Sequence, residues 1–139
     1  MRAAQGSGEE GPSYAHRRRL TRRLPEVVES VRAALAGEGF GVLTEIDVQA
    51  SLKKKLGIER NAYLILGACL PEIAHRALSA EPSIGVFLPC NVDVYVGDDG
   101  ATYVETVRPD VLFQHVQNPA LAPLAEEVNT KLLRVLEAL

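Results

Sequence analysis

Two cysteines and a histidine are the side chains of this chain best placed to do chemistry. Cys69 ends the apolar run Ala62–Cys69 and is followed by Leu70-Pro71. Proline suits the first turn of a helix, where its missing N–H leaves no bond unmade. Cys69 is therefore expected just before a helix start, where free amides and the helix dipole favour a thiolate and lower its pKa. His75 lies about one turn further on. Cys90 ends a second run, Gly85-Val86-Phe87-Leu88-Pro89-Cys90, beside Asn91. Cys69, His75 and Cys90 are thus the candidates for a redox or nucleophilic thiol, and Cys69, Cys90 and Asn91 for ligand contact. Cys69 and Cys90 stand 21 residues apart, which matches neither Cys-x-x-Cys nor a zinc pattern. A tetrahedral site would need two further ligands, from His16, His75 or His115, so no metal is assigned. The plainer reading is a pair of small buried hydrophobes, since free cysteine is among the most buried residue types.

Other groups have structural work that suffices for them. Glu45 and Asp47 could form an acid/base pair, but Asp47 stands where a helix needs an N-cap and Glu45 where a side chain meets water. The glycines at 37, 39 and 41 precede a strand and lack the Lys-Ser/Thr of a phosphate loop. Gly-x-Ser-x-Gly and His-Glu-x-x-His are both absent from the sequence, and no motif calls for a cofactor. The segment Arg17–Arg23 has five arginines in seven residues. That density would suit a polyanion, but no aromatic residues interleave to stack on bases. A charged edge strand is the simpler reading, and nucleic acid is not expected as a partner.

The elements that must position these residues follow from spacing. Ser13–Leu20 reads as a first strand. Leu24, Val27, Val28, Val31 and Leu35 recur at helical spacing behind Pro25, and Gly37 and Gly39 supply the stop. Phe40–Thr44 is a short second strand; Asp47 then caps a helix with Val48, Leu52 and Leu56 on one face, Lys53–Lys55 toward water and Gly57 at its end. Ala62–Cys69 is apolar on both alternations, as in a central strand covered on both sides. Pro71 opens a short helix, Glu72–Ser79. Ile84–Leu88 reads as a strand bent at Pro89. Val92, Val94 and Val96 alternate with Asp93 and Tyr95, Asp98-Asp99-Gly100 signals a hairpin, and Thr102–Val107 returns. A long amphipathic helix after Pro119 carries Leu121, Leu124, Val128, Leu132, Val135 and Leu139.

The order β-α-β-α-β-α-β-β-β-α, with its hairpin, implies an α+β fold. Two layers are expected: a largely antiparallel sheet of about five strands, with helices on one face. With 139 residues, the chain suits one domain, placed at 13–139 behind a disordered tail over 1–12. That tail has no apolar stretch of the secretory type, so a cytoplasmic location with reduced thiols is expected. The apolar runs fall far short of the ~20 residues a membrane helix needs, and a net charge of −3 does not suit a general binder of nucleic acid or anionic membranes.

Three stretches taken together, Glu38–Ala50, Tyr63–Cys69 and Glu81–Val92, resemble the domain of unknown function 302 family, a small bacterial and archaeal domain, in order and spacing. The resemblance runs from about Tyr14 to the C-terminus. It implies a compact α+β domain that forms homodimers, with no assigned activity, substrate or cofactor. The family pattern commonly has Asn after the first cysteine, where this chain has Leu70; that removes a polar group beside Cys69. The expected function is a non-enzymatic homodimeric binding module that holds a small ligand or protein partner on the sheet. The alternative is a thiol-dependent redox or metal-binding protein using Cys69 with Cys90 and His75.

Overall fold

A computed structural model describes residues 11–139. Most of the tail expected over 1–12 lies outside the described residues; of its last two, Pro12 accepts a hydrogen bond from the Ala15 N–H at 3.2 Å. Five strands occur among the described residues: β1 (Ala15–Leu20), β2 (Gly41–Asp47), β3 (Tyr63–Cys69), β4 (Cys90–Val96) and β5 (Thr102–Val107). All pair antiparallel in one sheet of order β1-β5-β4-β3-β2, so the fold is α+β as expected. Five helices join them: α1 (Leu24–Gly37), α2 (Val48–Leu56), α3 (Pro71–Ala80), α4 (Pro109–Leu112) and α5 (Ala122–Glu137).

Side-chain alternation gives the sheet two unlike faces. One presents Leu66, Ala68, Val92, Val94 and Val104, all wholly buried, to the apolar sides of α1, α3 and α5. α1 contributes Val27, Val28, Val31 and Leu35, and α5 contributes Leu124, Val128, Leu132, Val135 and Leu136. Each such side chain is worth roughly 1.5–3 kcal/mol of burial, so this interface carries the fold. The opposite face has no helix of the core cluster against it.

Local signals place the ends of these elements. The Asp47 carboxylate accepts from the Ala50 N–H at 2.9 Å and caps α2, while Gly57, with φ 69°, closes it in the left-handed region. The β4–β5 turn closes with the Gly97 N–H on the Ala101 carbonyl at 2.9 Å and Gly100 at φ 84°.

Ile84–Leu88 is not a strand. Pro82–Phe87 forms a 3₁₀ helix, with the Ile84 N–H on the Glu81 carbonyl at 2.9 Å and the Leu88 N–H on the Gly85 carbonyl at 3.1 Å. Pro82 supplies its first turn, and Ile84 alone of the segment is fully buried. Ile84 enters the core and Phe87 and Leu88 pack against it, while Val86 is left exposed, so the segment needs no ladder. Cys90 consequently opens β4 and does not close a strand.

Candidate functional site

β3 and α3 position Cys69, and β4 positions Cys90 one register step away, opposite Ala68. Both thiols line a small apolar cavity of about 30 Å³ with Phe40, Leu70, Ile73 and Phe113 among its walls. That volume holds a water or two and no ligand. The expectation that the start of α3 lowers the Cys69 pKa is corrected here: burial pushes it up. Burial, with the neighbouring Cys69 adding to it, pushes the Cys90 thiol up to about 11. His75 is exposed on α3, whereas Ile73, Ala74 and Ala77 line the cavity; the helix thus turns His75 away from the thiols. Among the described residues no three His, Cys, Asp or Glu side chains gather as a metal site.

Asn91 leads to a different place. As its neighbour Cys90 turns to the core, Asn91 turns to the face away from the helices, where it lines a recess of about 300 Å³ with Tyr14, Arg17, Tyr63, Asp93 and Glu105. Register builds this surface in cross-strand rows. One row runs Arg19, Tyr103, Tyr95, Tyr63, and the next Arg17, Glu105, Asp93, Ile65, Ile46. The tyrosine rings stack, Tyr63 on Tyr95 with centroids 4.8 Å apart and Tyr95 on Tyr103 at 5.4 Å. The guanidiniums of Arg60 and Arg17 lie over the two ends, 5.2 Å from the Tyr63 centroid and 5.3 Å from that of Tyr103.

The second row is acidic at its centre. Asp93 and Glu105 stand directly opposite each other on β4 and β5. Arg17 Nε donates to Glu105 at 2.9 Å, and Tyr63 donates its hydroxyl to Asp93 Oδ2, also at 2.9 Å. Asp93 Oδ1 is buried and has no hydrogen-bond partner among the described residues. Burial, with the Glu105 charge adding, holds the Asp93 pKa above its ordinary value, against the pull of the Tyr63 bond. Burial, with the charges of Asp93 and Glu105 adding, raises Tyr63, and burial, with the Glu105 charge and its hydrogen bond adding, raises Tyr95. The face is therefore aromatic and part-buried, with two carboxylates at its centre and arginines at its ends. The alternation in β4 marked Asp93 and Tyr95 as a polar face, but nothing in the sequence says which residues of other strands stand beside them.

Arg17, Arg18 and Arg19 lie in the edge strand β1 and Arg22 and Arg23 follow it; four of the five have partners within the chain. Arg18 donates to the backbone oxygens of Leu136 and Leu139 at 2.7 and 3.1 Å, across the end of α5. Arg19 meets Asp99 at 3.2 Å, and Arg22 meets Ser30 at 2.8 Å. His16 lies 2.8 Å from the Asn129 side chain. Glu45 pairs with Arg32 at the surface.

No curated protein matches this chain. A crystal structure of an uncharacterised conserved DUF302 protein from Bacillus stearothermophilus is similar to it, with 29% identity and a TM-score of 0.85 over 91% of this chain and 98% of that one. A family model described as domain of unknown function DUF302 matches residues 16–139. With the match spanning all of the fold's strands and helices but the first residue of β1, the chain belongs to the DUF302 family.

Proposed function

We propose that this chain is a homodimeric binding module that holds a small ligand on the sheet face away from the helices. The observation that carries the reading is the recess there, where Asn91, Asp93, Glu105 and Arg17 converge beside the stacked Tyr63. A few convergent polar groups in an aromatic-walled concavity are what a small-molecule site requires. The cysteine cavity is too small for that and keeps both thiols protonated near neutral pH, which disfavours the thiol alternative.

The dimer reading rests on the other end of the sheet. β2 is an edge strand with exposed Leu43 and Ile46. α2 buries none of its residues, and Leu56 and Ile58 at its end are exposed. A nine-residue helix is not stable through its own hydrogen bonds, so a second copy over β2 and α2 would supply the missing contacts. Sedimentation at micromolar concentration tests this: twice the 15.0 kDa chain mass is expected, and the chain mass for Ile46→Asp. For the ligand site, amide NMR under a fragment mixture should shift Asn91, Asp93 and Tyr63. Shifts confined to other regions would defeat the reading.

A further inference from the structure

The open-face recess also indicates which chemistry it would take, an inference that rests on the binding-module reading. We propose that it takes a neutral, planar ring whose edge carries a hydrogen-bond donor beside an acceptor, the lactam or amidine edge that nucleobases share. Asn91 pairs that edge and Tyr14 covers the ring.

Charge narrows the choice first. Glu105 is engaged by Arg17. The Tyr63 hydroxyl occupies one Asp93 oxygen, and the other is enclosed. The charged groups beside the recess are thus committed within the chain and leave a ligand no open charge to pair with. Asn91 is the uncommitted polar group: it lines the recess, it is exposed, and its side chain makes no hydrogen bond among the described residues. A primary amide holds an acceptor oxygen and a donor nitrogen side by side, with no net charge. Its match is an edge bearing the same pair in reverse, the geometry by which Asn holds adenine through two bonds. A carboxylate or an ammonium satisfies half of it.

The neighbours shape the slot. Asn91 stands opposite Gly67 on β3, which has no side chain. On its other side the register runs one step past Val92–Thr106 to Val107, which pairs with Ala15. These small residues keep the recess low at the level of Asn91, with Arg17 and Glu105 on one flank and Pro12 and Tyr14 on the other. Tyr14 is 64% exposed, and its backbone is held by the Arg108 N–H on its carbonyl at 2.9 Å. The rings of Tyr63, Tyr95 and Tyr103 are covered by one another and by guanidiniums, which leaves Tyr14 as the open aromatic surface at the mouth. A flat ring stacks on such a surface whatever its substituents. At about 300 Å³ the recess is at the small end of ligand sites and suits one small ring system.

Three probes test this on the full chain near neutral pH. 2-Pyridone has the planar donor–acceptor edge, 1-methyl-2-pyridone lacks the donor, and 2-piperidone keeps the edge on a puckered ring. In amide NMR titrations 2-pyridone is expected to shift Asn91, Val107 and Ala15, at least about fivefold more tightly than either relative. Asn91→Ala should bring 2-pyridone within about twofold of its methyl relative, and Tyr14→Ala within about twofold of 2-piperidone. Both positions are exposed, and melting curves recorded alongside show that the variants are folded. Equal or tighter binding of 1-methyl-2-pyridone overturns the paired edge, and equal or tighter binding of 2-piperidone overturns the planar ring. If a fragment mixture shifts these amides and 2-pyridone does not, the assignment falls and the binding module stands. If no fragment shifts them, both fall.

Discussion

Tyr63 reaches Asp93 diagonally across the β3–β4 pair, its hydroxyl 2.9 Å from Asp93 Oδ2, while the register sets it opposite Tyr95. This bond is the one influence that lowers the Asp93 pKa against burial and Glu105. Tyr63→Phe should therefore raise that pKa further. It should also destabilise the protein at neutral pH by about 1–3 kcal/mol, the cost of leaving a buried acceptor unmade. The sign of the pH dependence follows from the direction of the shift. A carboxyl whose folded pKa is raised binds its proton more tightly when folded, so its penalty is full above the folded pKa and fades as pH falls through it. The deficit of the variant should thus shrink on acidification, read by denaturant melts across pH.

Asp93→Asn removes the same buried charge, so the wild-type gain in stability on acidification through the folded pKa of Asp93 should be absent from it. Asp99 behaves oppositely: the Tyr103 hydroxyl, the Ala101 N–H and Arg19 hold it down to about 2. Stability from Asp99 is present above the ordinary carboxylate range and is lost as pH falls through about 2. A carboxyl-resolved NMR titration should find Asp93 and Asp99 shifted to opposite sides of the usual value.

Gly67 stands where no side chain fits. A Cβ there would lie 2.9 Å from Pro89 Cγ and would collide with the Thr44 hydroxyl. Gly67→Ala should cost about 1–3 kcal/mol, in the range of overpacking. Thermal melts with and without Thr44→Ala, which removes the colliding hydroxyl, would show how much Thr44 contributes; full stability in the single Gly67 variant would mean that the strand shifts to make room.

Cys90, with a pKa of about 11, has on the order of one part in ten thousand as thiolate at neutral pH. Timed alkylation of native protein should be slow at both cysteines, slower at Cys90, and should accelerate as pH rises. Rapid labelling of Cys69 at pH 7 would instead return the thiol to candidacy as a nucleophile.

The elements most legible in the sequence were those whose signals are local. The Asp47 cap, the Gly57 stop, the Gly100 turn and the apolar stripe of α5 each depend on neighbours within a few residues, and each lies where spacing put it, save that Leu121 and Leu139 fall just outside the two ends of α5. Ile84–Leu88 misled because short apolar runs bounded by proline look alike whether they pair in a sheet or pack beneath a helix. The candidate site was the least legible part. Tyr63, Asp93 and Glu105 belong to three strands, and only the register of those strands brings them together. The cysteines drew attention as chemical types, but burial, which a sequence does not display, keeps them protonated.

The two rims of the sheet are guarded unequally. β1 bristles with arginines engaged to Glu105, Asp99 and the end of α5, whereas β2 offers Leu43 and Ile46 bare. Charge discourages strand addition at the first rim, and apolar exposure invites it at the second. Pairing of two copies through β2 would leave only arginine-clad rims facing outward. Such an assembly would terminate at two, with no template left for a third chain and no path toward a fibre.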